Sequence, residues 1–491
     1  MLLRDGAGRH GSWREAGSPG RGGLLVSRAA ETPEPHHSLT TEEALAVTVD
    51  LDLTKAQYSN MRLTAEEHGC KLYPAYKRVA KAKAECLLPA SAFTVLPDQA
   101  QVDLQPLLDK TTTRLLQLQK PVLDSLPGRL PIQLVLHWVG EVIWRNPTPS
   151  STRFCRPIRL QLATETKAVS QKELQRVGAE ISALQPLSTP TAVVRYELAM
   201  TMVDGKMVNV ATGTASSQRC SMCGLTLRKF NDLTAVAAQP VTNQQYGLST
   251  LHCWLRSFDC LLHLSYRLPL QEDSKERRQQ RKAEVQEAFR TRMGLRVDEP
   301  RAGGSGNSND GNTARRAFRS PAEFAACTGV DQELIDRVGT VLQAVSCLHR
   351  LDIDALSAYC RRTAELYVER YSHHPMSTTL HKLLSHSAAV VESCHLPIGM
   401  MSEEAAEATH KRVRQYRLRH TRKDSRIHTI SDLLGYLLVA SDPLLSSLVC
   451  SASRRLYANR HGQQGPIYHG QLQPQTWLCW QSRGFTRHGG G

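Results

Sequence analysis

A pair of cysteines and a pair of histidines, far apart in the sequence, constrain the fold of this chain more than any other feature. Cys220 and Cys223 enclose two residues, His381 and His386 enclose four, and 157 residues separate the two pairs. Cys2His2 is a common tetrahedral zinc set, so the pattern predicts one structural Zn2+ that closes the intervening residues into an inserted unit. Each half also has a simpler interpretation. A Cys-x2-Cys arises by chance in a chain with 13 cysteines, and buried histidines often serve core hydrogen bonds.

The spacing of the two histidines restricts where they can lie. Side chains five residues apart on a straight α-helix diverge by about 140°. We therefore expect His381 and His386 to converge at a helix end or across a turn.

Length and charge limit the class of protein. The chain has 491 residues, enough for two or three domains, and a net charge of +15, which favours a polyanionic partner such as nucleic acid. The alternative is a surface that is merely basic. No run of about 18 apolar residues is present, so no membrane span is expected. Residues 1–30 carry no secretory pattern, which indicates a reducing compartment; with the basic charge, we expect the nucleus.

Hydrophobic periodicity predicts an α/β chain in six segments. Helical patterns cover Leu53 to Cys86 and residues 103–123, and strand patterns cover Ile132 to Val139, Ile158 to Leu162 and Val193 to Met202. The segments are a disordered N-terminal segment (1–45), a helical N-terminal region (46–125), the first part of an α/β core (126–215), a helical zinc-binding insertion (216–390), a C-terminal helix with a basic region (391–450) and a loose tail (451–491).

Two acids flank the Cys/His pattern. Asp204 precedes Gly205 at a predicted strand end, and Glu407 follows the last histidine. Together with a zinc clamp they suggest a metal-dependent nuclease. Each acid also has a structural interpretation. Asp-Gly is an ordinary turn signal, and Glu403, Glu407 and Lys411 have the spacing of a solvated helix face.

A basic run follows Glu407. Eight of the sixteen residues from Lys411 to Arg426 are Lys or Arg. Such density predicts contacts with nucleic-acid phosphates, which are independent of sequence and sensitive to salt. A solvated helix or a nuclear localisation signal is the alternative. The candidate DNA-contacting residues are Lys411, Arg412, Arg414, Arg417, Arg419, Arg422 and Lys423.

In this order, the motifs resemble the family of the V(D)J recombinase catalytic subunit and the related Transib-type transposases. The resemblance runs over roughly Tyr73 to Leu448. Asp204-Gly-Lys looks like the family's second catalytic Asp, and Glu407-Ala-Thr-His-Lys411 looks like the stretch with the catalytic Glu. The Cys and His pairs match the family's zinc ligands, and Gly311-Asn-Thr-Ala-Arg-Arg316 is similar to a further segment of it.

The resemblance implies a fold and an activity. The fold would be an RNase H-like mixed sheet, interrupted by a mostly helical zinc-binding insertion and preceded by a helical region. Asp204 and Glu407 would hold catalytic Mg2+ or Mn2+. The family's chemistry is the nicking of double-stranded DNA and transesterification by the freed hydroxyl. The family also acts as a dimer on paired DNA ends, which implies a homodimer.

One part of the family pattern is missing. No Cys-Asp-Gly, which carries the family's first catalytic Asp, occurs in this chain, and Asp124 and Glu141 are the only acids between Lys110 and Glu165. Two-metal nucleases need carboxylates that hold both ions about 3.5–4 Å apart. Three hypotheses therefore remain: an active recombinase or transposase-derived enzyme, a catalytically inactive zinc-stabilised DNA-binding protein, and an intracellular helical interaction protein without a nucleic-acid partner.

Overall fold

The structure of the chain is a computed structural model that describes residues 38–125, 131–139, 151–164, 166–200, 203–268, 274–301 and 307–451. Most of the predicted disordered segment 1–45 and all but the first residue of the predicted tail 451–491 lie outside these ranges. Helix α1 begins at Thr41, inside the segment predicted to be disordered, because Thr40 and Glu43 form a capping box that fixes its start.

Helices dominate the described residues. They are α1 (Thr41–Asp50), α2 (Lys55–Glu67), α3 (Tyr76–Glu85), α4 (Leu104–Leu123), α5 (Lys167–Ser182), α6 (Gly205–Ala211), α7 (Leu233–Ala237), α8 (Thr250–Ser265), α9 (Lys275–Ala288), α10 (Gly311–Phe318), α11 (Pro321–Thr328), α12 (Gln332–Ser346), α13 (Ile353–Tyr371), α14 (Thr378–Glu392), α15 (Glu404–Arg419) and α16 (Arg426–Ala440). The strands are β1 (Phe93–Leu96), β2 (Gln99–Val102), β3 (Ile132–Val139), β4 (Arg159–Gln161), β5 (Leu187–Ser188) and β6 (Ala192–Met200).

The strands form two small sheets. In one, β2 pairs antiparallel with both β1 and β4. In the other, β3 and β6 run parallel with Ile132 opposite Ala192, and β5 pairs antiparallel with β6. Parallel neighbours need a long crossover connection, and α5 lies within this one. A mixed α/β fold with a helical N-terminal part is thus confirmed, whereas the RNase H-like arrangement stays a prediction.

The described residues form two large hydrophobic cores. Helices α8 to α14 enclose one of them, in which Phe258, Phe289, Phe318 and Phe324 meet edge to face. The other lies under the strands and α4, and Ile430, Leu434 and Leu438 of α16 complete it. The helical unit therefore lies, along the chain, between two parts of the sheet core, as an insertion does.

The N-terminal helices join the C-terminal end of the chain. Leu45 of α1 and Val79 of α3 share a small core with Val439 and Leu445. In the part of the chain that the structure describes, no single helix is long and apolar enough to cross a bilayer. The pair Arg426–Ala440 and Pro443–Ser451 reaches the required length and composition only together and is bent by 52°.

Candidate metal centre and carboxylate site

Four side chains from the two distant motifs meet in the helical core. One ligand atom from each of Cys220, Cys223, His381 and His386 lies within 4.8 Å of the others, and all four residues are buried. The Cys223 Sγ lies 3.3 Å from the His381 Nε2. This distance is close to the separation of about 3.5 Å that tetrahedral zinc bond lengths produce between sulfur and nitrogen.

His386 gives an independent reason to expect a metal ion. His386 is 2% exposed, yet neither of its ring nitrogens has a hydrogen-bond partner among the described residues. A buried polar atom without a partner is costly, and such atoms usually bind an ion or a water. The donor set of two sulfurs and two imidazole nitrogens fits a metal ion such as zinc.

The turn between the two cysteines has the geometry of a metal-binding loop. The backbone amide of Met222 donates to the Cys220 Sγ over 3.4 Å, which favours the thiolate form. The Gly224 amide donates to the Cys220 carbonyl, and Gly224 takes a φ of +72°, a conformation open to glycine at little cost. The sequence Cys-Ser-Met-Cys-Gly thus folds back on itself and directs both sulfurs inward.

Both histidines lie within α14. His381 occupies the first turn of the helix and His386 follows further along it. The expectation of convergence at a helix end therefore fits His381, whereas convergence across a turn is wrong. The two rings stand perpendicular at a centroid separation of 4.9 Å, and the ring of Phe230 stacks flat on His381 at 4.0 Å. The stacking fixes the plane of the His381 ring.

Hydrogen bonds hold the cysteine loop on α14 and were not predicted from the sequence. The Lys382 Nζ donates to the Ser221 Oγ over 2.8 Å, and the Thr378 Oγ1 donates to the Ser217 carbonyl. Asn231 donates to the His374 carbonyl and accepts from the Met376 amide. Lys382 lies between the two histidines of the His-Lys-Leu-Leu-Ser-His motif, so its position in the sequence could have indicated a role beside the cluster. Nothing in the sequence around Asn231 marks it.

The electrostatics of the cluster favour metal-binding protonation states. The hydrogen bond between the two thiols lowers the pKa of Cys220 and raises the pKa of Cys223, so the pair shares one proton. Burial lowers the pKa of His381, which keeps its imidazole neutral. Neutral imidazole and thiolate are the forms that bind a metal ion, and binding would release the shared proton.

The two predicted catalytic acids both interact electrostatically with His252. Asp204 is the N-cap of α6, where its carboxylate accepts from the Met207 amide over 2.8 Å. Glu407 lies in the first turn of α15. The charge of Asp204 helps to raise the pKa of His252, while His252, after the larger effect of His410, helps to lower the pKa of Glu407. Both acids thus lie within electrostatic reach of His252.

A third acid, Glu403, has a structural role at the same place. It is 7% exposed and accepts from the Thr250 and Leu251 amides, each over 3.3 Å, and from the Ser249 hydroxyl. The carboxylate therefore binds the positive N-terminal end of α8. Its hydrogen bond is also the largest cause of the raised pKa of His252.

The segment that begins at Gly311 packs beside these acids. Arg315 of α10 pairs with Glu404 and lies 5.6 Å from the ring of Trp254. A Cβ on Gly311 would come within 2.5 Å of the Leu251 side chain, so α10 approaches the start of α8 closely because this residue is glycine. The structure therefore places the segment that begins at Gly311 beside the start of α8 and the acids before α15, although these segments are far apart in the sequence.

The start of α8 also connects the two sites. Burial raises the pKa of the Cys253 thiol to about 12, and both Glu403 of the acid site and Lys382 of the metal cluster act on it. The cluster and the acid site thus both lie within electrostatic reach of Cys253 on α8.

A complete magnesium site is not assembled by the described residues. Among them, the Cys/His cluster is the one group of three or more His, Cys, Asp or Glu side chains whose ligand atoms all lie within 4.8 Å. Strand β3 contains no acid. Asp124 ends α4 and pairs with Lys120 at the surface, and Glu141 lies outside the described residues. Strand β3 therefore offers no carboxylate to such a site.

The candidate DNA-contacting residues differ in their surroundings. Lys411, Arg414 and Arg417 are exposed, and in the described part of the chain none of the three is in an ion pair. The Arg412 guanidinium lies 5.9 Å from the Tyr416 ring. The remaining three have protein partners: Arg419 pairs with Asp52, Arg422 with Asp432, and Lys423 donates to the Arg417 carbonyl.

Comparisons with known proteins do not assign this chain to a family. No protein-family model matches the sequence, and no curated protein matches it significantly. The resemblance to the recombinase family therefore stays a prediction from the sequence motifs.

We predict that a bound metal ion stabilises the helical unit. An ion at a thousand times its dissociation constant contributes about 4 kcal/mol, which corresponds to a shift of about 10 °C in the unfolding midpoint of a unit of this size. A strong chelator should lower the unfolding midpoint of the wild-type protein by this amount. The Cys220→Ser variant should unfold at a lower temperature than the wild type, and the chelator should not change its midpoint. Differential scanning calorimetry gives the midpoints.

The matched control is Cys327→Ser, which alters another buried thiol of the same core. It should respond to the chelator as the wild type does. An equal response of Cys220→Ser and Cys327→Ser would contradict a metal site at the cluster.

We also predict that the acid site controls His252. Replacement of Glu403 by Gln should lower the pKa of His252, and Asp204→Asn should lower it less, because Glu403 is the main cause of the shift. A pKa raised above 6.5 means that His252 stabilises the fold fully below about pH 6.5 and that this stability is lost as the pH rises through the raised value.

Titration of isotope-labelled histidine rings by NMR measures this pKa, with His252→Gln to assign the resonance. Asp259→Asn, on the same helix, serves as the control and should leave the pKa unchanged. If the pKa of His252 were the same in the wild type, Glu403→Gln and Asp204→Asn, the result would contradict an electrostatic effect of these acids on His252.

Proposed function

We propose that this chain is a zinc-stabilised protein that binds double-stranded DNA, on a scaffold related to the V(D)J recombinase catalytic subunit and the Transib-type transposases. One observation carries the proposal: α15 holds Lys411, Arg414 and Arg417 in solvent, and none of the three is in an ion pair with another described residue. Lys411, Arg414 and Leu418 follow Glu407 at intervals of four, three and four residues, which is the spacing of one helix face, and all four are exposed. Arg417 lies at the edge of this face.

The opposite face of α15 anchors the helix. Ala405, Thr409 and Tyr416 are buried, and the Tyr416 ring packs on Tyr436 of α16 at 4.5 Å. The helix is therefore held rigidly while its cations remain in solvent. A rigid row of cations suits the phosphates of a duplex, which are themselves regularly spaced.

The charge pattern favours DNA binding over a helical interaction protein. A solvated helix face usually alternates acids and bases at intervals of three or four residues. After Glu407, no acid occurs on α15, and the next one in the sequence is Asp424. The exposed Leu418, at 71%, adds an apolar contact on the same face. A helix surface with this excess of positive charge favours contact with a phosphate backbone.

The metal ion in this proposal is zinc. Two thiols and two imidazoles in a buried, water-excluding core form a closed structural set, which zinc prefers to the oxygen-rich sites of magnesium. Zinc would replace the missing partners of His386 and join the cysteine loop to α14.

By resemblance, we further propose nuclear localisation and a homodimer on paired DNA ends. Light scattering of the DNA complex tests the homodimer.

Strand cleavage is the second candidate, favoured by the electrostatic effect that links both Asp204 and Glu407 to His252. The residues fit a two-ion site only in part. Glu403 is bound to the start of α8, and a first catalytic Asp is missing from the described residues, so two carboxylates would have to hold the ions. We therefore propose binding without cleavage as the primary function.

We predict that the α15 face sets the salt dependence of DNA binding. Replacement of Lys411, Arg414 and Arg417 together by Gln should reduce the slope of log affinity against log salt by about 2.7, since each phosphate contact contributes about 0.9. Fluorescence anisotropy with a labelled duplex measures the slope. The control removes three exposed cations elsewhere, in Lys275→Gln/Arg277→Gln/Arg361→Gln, and should leave it unchanged. Weak binding that does not respond to salt would exclude the proposal.

We predict no Mg2+- or Mn2+-dependent nicking of supercoiled DNA by the wild-type protein, because three metal-holding carboxylates are not assembled among the described residues. Nicking that disappears in both Asp204→Asn and Glu407→Gln, but persists in the exposed control Asp424→Asn, would overturn this expectation. The same assay would then establish the second candidate.

A further inference from the structure

A cavity of about 300 Å3 lies where the N-terminal helices meet the segment after α15. Helices α2 and α3 contribute Lys55, Tyr76 and Lys83, and the C-terminal part contributes Arg419, Arg422 and Tyr436. The cavity thus contains four cationic side chains from two parts of the chain that are far apart in sequence. Its volume is at the lower end of small-ligand sites.

The acids near the cavity are already occupied. Asp432, which also lines it, accepts two bonds from the Arg422 guanidinium and one from its backbone amide, all between 2.9 and 3.0 Å. Asp52 accepts from His420, Gln415 and Arg419. The hydrogen bonds of these two carboxylates are thus taken by Arg422, Arg419, His420 and Gln415, and neither carboxylate forms an ion pair with Lys55 or Lys83.

Lys83 and Lys55 have aromatic rings as their contacts. The Lys83 Nζ lies 4.7 Å from the centre of the Tyr436 ring, and the Lys55 Nζ lies 5.8 Å from that of Tyr76. In the described part of the chain, neither lysine is in an ion pair. Lys83 is partly buried, and the loss of solvent lowers its pKa more than the charge of Asp432 raises it, so the charged form is not fully compensated. An anion in the cavity would supply that stabilisation.

We propose that this cavity binds a phosphate group through Lys55 and Lys83, with Arg419 at its edge. A tetrahedral dianion or diester fits a site with several cations and ammonium donors. The cavity adjoins the C-terminal end of α15, whose exposed face is the proposed DNA surface. The phosphate source is therefore a strand of the bound DNA, and this choice of source rests on the proposed function, whereas the anion site itself does not.

The first experiment titrates the full-length protein with inorganic phosphate at constant ionic strength, balanced with chloride, by isothermal calorimetry. Lys55→Gln and Lys83→Gln should each weaken phosphate binding about tenfold, which corresponds to one lost charge-assisted hydrogen bond. Lys81→Gln is the matched control, because Lys81 is exposed on the same α3 and lies outside the cavity lining. It should bind phosphate as the wild type does.

Folding of the variants is checked by their unfolding midpoints. If Lys83→Gln is unstable, Lys83→Arg retains the cation and should retain binding, while the exposed Lys55→Gln still tests the site. Equal phosphate affinity of the wild type, Lys55→Gln and Lys81→Gln would overturn the proposal, as would the absence of phosphate binding by the wild type.

The second experiment identifies the source of the phosphate. With a DNA duplex, Lys55→Gln should reduce the salt slope of binding by about 0.9, the loss of one phosphate contact, and Lys81→Gln should not. An unchanged slope with weakened binding of inorganic phosphate would assign the site to free phosphate and overturn the DNA source. Lysine-dependent phosphate binding in a protein that does not bind DNA would refute the proposed function and leave the anion site intact.

Discussion

The burial of four metal-ligating side chains at one point is the constraint on which the rest of this structure depends. Without an ion, the core contains two adjacent buried thiols. It also contains His386, whose ring nitrogens have no hydrogen-bond partner among the described residues. The same distant segments are also joined by the hydrogen bonds of Lys382 with Ser221 and of Thr378 with Ser217. The cluster fixes the cysteine loop on α14, and α14 packs on α8. The N-terminal end of α8 in turn binds Glu403, directly before α15. The position of the proposed DNA-binding helix thus follows from the cluster through a short series of contacts.

Binding and cleavage place different demands on the same helix. The cations of α15 need only to be rigid and solvent-exposed, and the buried Tyr416 side of the helix provides this rigidity. Cleavage needs several carboxylates around two ions, and Glu403 cannot serve while it holds the start of α8. A chain that loses one catalytic acid can therefore lose cleavage and retain DNA binding, since the two depend on different residues.

Sequence patterns predicted the parts of the structure that depend on local spacing. The Cys-x2-Cys and His-x4-His motifs gave the metal cluster, and apolar periodicity gave α4, β3 and β6. The short hairpin of β1 and β2 was missed, because its strands of four residues carry too little alternation. The convergence of the histidines was predicted for the wrong reason, since both lie within α14 and their rings turn toward each other around the helix.

Contacts between distant segments could not be predicted. Nothing near Asn231 indicates that it binds the chain before α14, and nothing near Glu403 indicates that it binds the start of α8. In the sequence, all cations of the basic run look equivalent. In the structure, Arg419 and Arg422 are in ion pairs, whereas Lys411, Arg414 and Arg417 are exposed and form none with the described residues. These differences arise from tertiary neighbours and not from the spacing of residues.

Elemental analysis of zinc in the purified full-length protein tests the central claim most directly. The account predicts one zinc ion per chain in the wild type and in Cys327→Ser, and none in the double variant Cys220→Ser/His386→Ala. Well-folded wild-type protein without zinc, or with zinc that the double variant retains, would contradict it.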